Sequence, residues 1–286
     1  YITINISSPN TENLRDFHEK GELGNLIKTI NKEKKNNNSN IPIAVKISPD
    51  LTFDQIESVS EILIENNYGQ HLGISDEEFT KACVLDLQQI LDTATTGIVA
   101  CFIFEPIQGV GGFAIPPDGF FGEMSKVLSN YGTLLISDEV QTGWGRIGDH
   151  FWGYEAHGII PDMLTFAKGV GNGATLAGVI ARAEIMENIT ALNFSTFGGN
   201  PLACAVAHAA LEVIVDEKLA QKAFHLGNLF REQLNLYIQS SSIVKLIRGK
   251  GLLNAIVIND TEVSDTAWNI CLKLSDNGLL AKPTHG

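Results

Sequence analysis

The 286-residue sequence predicts an α/β protein, on three observations. Short apolar runs, VACFIF (99–104), TLLIS (133–137) and MLTFA (163–167), alternate with helical or Gly-rich stretches, as the strands of an open, largely parallel sheet do. ITINI (1–5) and IPIAVKI (41–47) bracket a helical stretch, so a second, shorter β–α alternation precedes the first. Hydrophobic residues make up 44% and charged residues 19%, a balance that suits a globular fold.

The elements follow in chain order. ITINI reads as a strand ended by Ser7-Ser8-Pro9-Asn10-Thr11, and a helix is predicted over roughly 19–31. NKEKKNNNSN (31–40) holds no core-forming residue and reads as a solvated loop. IPIAVKI is the second strand, punctuated by Ser48-Pro49-Asp50. Thr52 is then placed to cap a helix over 53–66, where Ile56, Val59, Ile62 and Leu63 recur at helical spacing. Asn66-Asn67-Tyr68-Gly69-Gln70 marks a boundary, and 76–91 reads as an amphipathic helix. AGVIA (177–181) is a further strand. Pro201 opens a long helix with Leu202, Ala205, Val206, Ala209, Ala210 and Val213 along one face. LLNAIVI (252–258), a helix over about 262–277 and GLLAKP (278–283) form a smaller α+β module. The first residue, Tyr1, falls within a strand, which predicts that the start of the protein is missing.

Charge and cysteines exclude several classes. Twenty Lys+Arg against 33 Asp+Glu leave a net charge of −13, and no basic surface for nucleic acid or anionic membrane is expected. Cys83, Cys101, Cys204 and Cys271 form no CxxC pair, so neither a zinc site nor a disulfide scaffold is indicated, and a reduced intracellular compartment follows. No apolar run approaches the ~20 residues of a membrane span. His150 and His157 lack metal-ligand spacing, and Trp144 and Trp152 around Arg146 read as packing and dimer contact.

Three predicted strand ends carry chemistry: Glu105 after VACFIF, Asp138 after TLLIS and Lys168 after MLTFA. In open α/β sheets ligands bind beyond the carboxyl ends of the strands, so two acids and a lysine converge on one rim. A lysine after an apolar strand can act as an amine nucleophile. Paired with an acid it suits pyridoxal phosphate, where the acid holds the pyridinium proton. A buried Lys–Asp salt bridge without cofactor is the alternative reading of the same spacing.

EPIQGVGG (105–112), SDEVQTGWGR (137–146), FAKGVGNG (166–173) and STFGGNP (195–201) resemble the class III aminotransferases of pyridoxal phosphate fold type I. The resemblance covers about 80–286, ornithine-type toward the C-terminus and alanine–glyoxylate-type before it. It implies a fold type I large domain over 68–238 and part of a small C-terminal domain over 239–286, working as a homodimer. It also implies transfer of an amino group between an amino acid and a 2-oxo acid. Lys168 would be the Schiff-base lysine and general base, and Asp138 would bind the ring nitrogen. Val140 would pack on the ring face, Gln141 would bond the phenolic oxygen, Glu105 would help gate the substrate carboxylate's arginine, and Thr196 would reach the phosphate across the dimer interface. Gly198 and Gly199 would assist there. The family's Gly/Ser-rich phosphate loop has no counterpart before residue 68, and the chain stops at His285-Gly286 before the arginine segment.

YITINISSPNTENLR (1–15) and IPIAVKISPDL (41–51) resemble class 2 dihydroorotate dehydrogenase, an FMN-dependent (β/α)8 barrel. Residues 1–67 then form a two-unit βα fragment, with Ser8 as base, Asn5 and Asn10 on substrate or flavin, and Lys46 on FMN. Two strands cannot close an eight-stranded barrel. A composite chain that holds pieces of several parents and catalyses nothing is the third reading. The compartment expected is cytoplasm or mitochondrial matrix.

Overall fold

The computed structural model describes residues 2–5, 20–37, 43–46, 75–191, 195–238, 241–260 and 264–283. The expected helix over 53–66 and the candidate residues Ser8 and Asn10 lie outside them. The chain divides into two compact units, 1–79 and 80–286.

In the first unit, β1 (Ile2–Asn5) pairs in parallel with β2 (Ile43–Lys46), with Asn5 opposite Lys46. Between them runs α1 (Lys20–Asn36), which buries Leu23 and Ile27, one helical turn apart. This helix continues through NKEKKN, where the sequence predicts a loop. The physical reason is that Lys and Glu are good helix formers on a solvated face, and Lys34 and Lys35 in the last turn favour the negative end of the helix dipole.

Helix α2 (Asp76–Thr93) begins with a capping box: Ser75 Oγ accepts the Glu78 N–H (3.2 Å) while Glu78 Oε2 accepts the Ser75 N–H (2.9 Å). Three acids in its first turn favour the same end. Near its other end the Tyr131 hydroxyl donates to Asp92 and accepts from Gln88.

The second unit is built on a four-stranded sheet in the order β3 (Cys101–Phe104), β4 (Leu134–Asp138), β5 (Met163–Phe166), β6 (Gly178–Ala181). β3, β4 and β5 are parallel, linked by α3 (Phe120–Asn130) and by the loop that follows β4. β6 runs antiparallel to β5, with Phe166 opposite Gly178. The connection 167–177 is too short for a parallel crossover, which takes about a dozen residues or more and usually a helix. The buried parallel strands predicted from composition are only partly buried. Cys101 and Ile103 of edge strand β3, and Val179 and Ile180 of β6, are exposed.

After a single helical turn, α4 (Ala183–Met186), helix α5 (Pro201–Asp216) is capped by Asn200, whose Oδ1 accepts the Ala203 N–H at 2.9 Å. Its buried residues are Ala203 and Ala207, and it packs on the short turn Lys168–Gly171. Leu202, Ala205, Ala209 and Val213 of the predicted apolar face are exposed, and the face through Ala203 and Ala207 is the one buried. Helix α6 (Leu219–Ile238) lies against a hairpin, β7 (Val244–Lys250) with β8 (Leu253–Ile258), and α7 (Thr266–Asp276) follows. At Gly227 of α6 any Cβ would overlap the Gly251 carbonyl oxygen, so glycine is what lets helix and hairpin meet. Leu253 of the hairpin packs with Ile107, Ile147 and Phe113. Among the described residues no helix is long and apolar enough to cross a membrane.

Candidate active site

Because β3, β4 and β5 are adjacent and parallel, their carboxyl ends share one edge of the sheet. Glu105 follows β3, Asp138 is the last residue of β4, and Lys168 opens the turn after β5. Asp138 stands opposite Thr165 in the ladder, and the neighbouring Glu139 N–H donates to the Thr165 carbonyl at 2.9 Å. Lys168 is three residues further along the same strand direction, so the structure brings the acid and the lysine to adjacent strand ends.

Asp138 is half-buried, and its Oδ1 accepts the Val140 N–H at 3.1 Å. Among the described residues no hydrogen bond reaches its Oδ2. Lys168 is exposed, has φ of 50°, and its ammonium pairs with no carboxylate among the described residues. A lysine in the left-handed region costs on the order of 1 kcal/mol or more, a strain that recurs at functional turns. Among the described residues the arrangement is therefore not a buried Lys–Asp salt bridge.

Gln141 is half-buried and its amide lies over Gly109, where a Cβ would fall on it. The Gly109 N–H donates to Glu105 Oε2 at 2.9 Å, so Glu105, Gly109 and Gln141 form one group beside the Asp138 end. Val140 is half-buried next to them. Thr196 is exposed in the loop before α5, where the Gly198 N–H reaches the Ser195 carbonyl at 3.3 Å. Of the remaining candidates, Asn5 and Lys46 end the paired strands β1 and β2 in the other unit.

Behind the rim, Trp144 packs against Trp152 (ring centroids 4.6 Å), Phe166 (5.3 Å) and Phe151 (5.9 Å), the packing role read from the sequence. His157 is buried against the edge of Phe121 at 4.8 Å. Burial pushes its pKa down to about 4 against the opposing pull of Asp118, which keeps it neutral near pH 7. Lys250 of β7 reaches Asp149 at 2.9 Å and Asp118 at 3.0 Å, and Arg248 Nε donates to the Gly112 carbonyl at 2.6 Å. The hairpin thus grips both loops that leave the rim. Among the described residues no three His, Cys, Asp or Glu side chains group as metal ligands.

Sequence reasoning missed Glu139. Its side chain is fully buried and accepts four hydrogen bonds, while its neighbour Asp138 drew the attention. The available signal was the pattern S-D-E-V-Q-T, a carboxylate with hydroxyls two residues before and three after it.

The model for aminotransferase class-III matches residues 53–286, and that for dihydroorotate dehydrogenase matches 1–95. Ornithine aminotransferase of Saccharomyces cerevisiae is 44% identical over 209 residues, 70% of this chain and 48% of that protein. The mitochondrial ornithine aminotransferase of Drosophila melanogaster is 44% identical over 190 residues, 66% of this chain and 43% of that protein. Among solved structures, acetylornithine aminotransferase from Elizabethkingia anophelis superposes with a TM-score of 0.66 at 46% identity, over 71% of this chain and 51% of that one. An (S)-enantioselective omega-transaminase from Thermomicrobium roseum superposes with a TM-score of 0.68 at 33% identity, over 77% of this chain and 52% of that one. The chain spans about half the length of the curated relatives it matches. With four-fifths of its length under one family model and the Asp138 and Lys168 strand ends side by side, the chain belongs to the class-III aminotransferases.

Proposed function

We propose that this chain carries the amino-transfer rim of a pyridoxal-phosphate enzyme that moves an amino group between an amino acid and a 2-oxo acid. One observation carries the reading: Asp138 and Lys168 end adjacent parallel strands, and each keeps its functional atom unpaired among the described residues. The residues at the Asp138–Lys168 rim fit the ring nitrogen and the aldehyde end of the cofactor. Asp138 Oδ2 is an open acceptor for a protonated ring nitrogen, and Lys168 Nζ is an amine without a counter-ion. Pyridoxal phosphate, when bound, supplies an electron sink for the charge developed at the substrate carbon.

The rest is the work of this chain's side chains. Lys168 Nζ would take the proton from the substrate carbon, hold it and give it up on the cofactor side, the 1,3-shift that moves the amino group. Asp138 would hold the proton on the ring nitrogen by accepting its hydrogen bond. Val140 would cover the ring face, and Gln141 would bond the phenolic oxygen. Glu105 would stand where the family's glutamate gates a substrate-carboxylate arginine, and Thr196 of one protomer would serve the phosphate of its partner in a homodimer, as its exposure permits. The division into 68–238 and 239–286 belongs to the same reading, as does a location in cytoplasm or mitochondrial matrix, which relatives named as mitochondrial support. Titration of the chain with pyridoxal phosphate is expected to give a visible absorption band that is lost in Lys168→Ala. A colourless unmodified chain would sink the proposal.

The match over 1–95 favours a second reading, in which β1 and β2 are a remnant of an FMN-binding barrel. It predicts flavin that copurifies with the chain and is lost in Lys46→Ala. Flavin-free protein eliminates it.

A further inference from the structure

We infer that Glu139 is a positioning residue that sets the direction of the Asp138 carboxylate. The inference rests on the transaminase reading for its purpose and on the structure alone for its geometry. Glu139 Oε1 accepts the Ser137 hydroxyl (3.0 Å) and the Tyr154 N–H (2.9 Å). Its Oε2 accepts the Thr142 hydroxyl (2.5 Å) and the Gly153 N–H (2.8 Å). The side chain is 0% exposed, and no cation pairs with it among the described residues. A buried carboxylate without a cation is costly, and four charge-assisted hydrogen bonds are what hold it.

Those bonds tie three pieces of backbone together: the end of β4, the loop through Thr142, and the turn at Gly153. The Glu139 main chain adds two more ties, its N–H to Thr165 of β5 (2.9 Å) and its carbonyl accepting the Gly143 N–H (3.0 Å). Successive residues of an extended strand face opposite ways, so Ser137 and Glu139 share one face while Asp138 faces the other. Locking Glu139 from behind therefore locks the peptide that carries Asp138 and the Val140 N–H that orients its carboxylate. The chemistry requires a carboxylate here. An amide would keep one acceptor oxygen and turn its NH2 toward two of the four donors.

Amide hydrogen exchange on the whole chain tests this, with Glu139→Gln and Thr142→Val compared with the unmodified protein. Val140 N–H is the reporter, since it is bound to Asp138 Oδ1. It is expected to exchange about tenfold faster in Glu139→Gln and a few-fold faster in Thr142→Val, while the amides of α6 keep their rates. Pyridoxal phosphate should then bind about tenfold more weakly to Glu139→Gln, with a shifted pH midpoint of its absorption band. Unchanged Val140 exchange in either folded variant overturns the inference. So does a uniform loss of protection across the second unit, which marks general stability only. If Glu139→Gln does not fold, Thr142→Val decides. A chain that takes up no cofactor sinks the transaminase reading, and Val140 exchange still judges the clamp.

Discussion

Lys250→Met is the sharpest perturbation of the rim's support. The methionine keeps the length of the stem and removes only the charge. Lys250 is 20% exposed in its side chain and holds two carboxylates from different loops, Asp149 at 2.9 Å (28% exposed) and Asp118 at 3.0 Å (72% exposed). The Asp118 arm is a surface pair worth about 0.5 kcal/mol. The Asp149 arm is largely buried, and losing its cation costs about 2 kcal/mol, below the range for a fully buried pair because solvent still reaches it. The expected loss is therefore about 2–3 kcal/mol, read as a lower urea midpoint with an unchanged slope. Raising salt should shrink the difference only by the Asp118 share. Burial works against the Lys250 ammonium, but its bonds to Asp149 and Asp118 outweigh it and hold the pKa above the usual lysine value. The contribution is thus complete below about pH 10 and fades as pH rises through the folded value. A variant within about 0.5 kcal/mol of the unmodified chain at pH 7.5 refutes the reasoning.

His157, with its pKa lowered to about 4, takes up a proton in the unfolded chain before it does in the folded one. Stability should then fall as pH drops from about 6.5 toward 4, and His157→Phe, which keeps a ring against Phe121, should flatten that slope in urea midpoints. Gly227→Ala gains about 1 kcal/mol of helix propensity, yet its methyl meets the Gly251 carbonyl, so a net loss of about 1–3 kcal/mol is expected. A raised melting temperature would contradict the close approach. Gly109→Ala displaces only the end of the Gln141 side chain, so stability should hold while pyridoxal phosphate affinity drops several-fold. Equal affinity would remove Gln141 from the cofactor's contacts.

Much of the fold was legible because its signals are local. The strands at 101–104, 134–138 and 163–166 are short apolar runs between helical stretches, and the amphipathic helix read over 76–91 is α2. Asp138 and Lys168 were legible because each ends such a run. The extension of α1 to Asn36 was not, since a loop and a solvated helical face have the same polar composition. The buried face of α5 was equally hidden. A helix apolar nearly all round has no pattern to choose a side, and the small residues Ala203 and Ala207 won because they fit against the Lys168 turn.

By itself the sequence determined the α/β alternation, the residues that end the strands and the family motifs, for these depend on neighbours a few positions apart. Tertiary structure alone decided that β6 turns back against β5, that Lys168 stands free of Asp138, and that the hairpin's Lys250 ties down both rim loops. It also decided that Glu139, beside the conspicuous Asp138, is the acid that four donors surround. Donors from residues 137, 142, 153 and 154 meet at one carboxylate only after the chain has closed on itself. Spacing along a sequence encodes periodicity; which groups meet across a loop is set by packing.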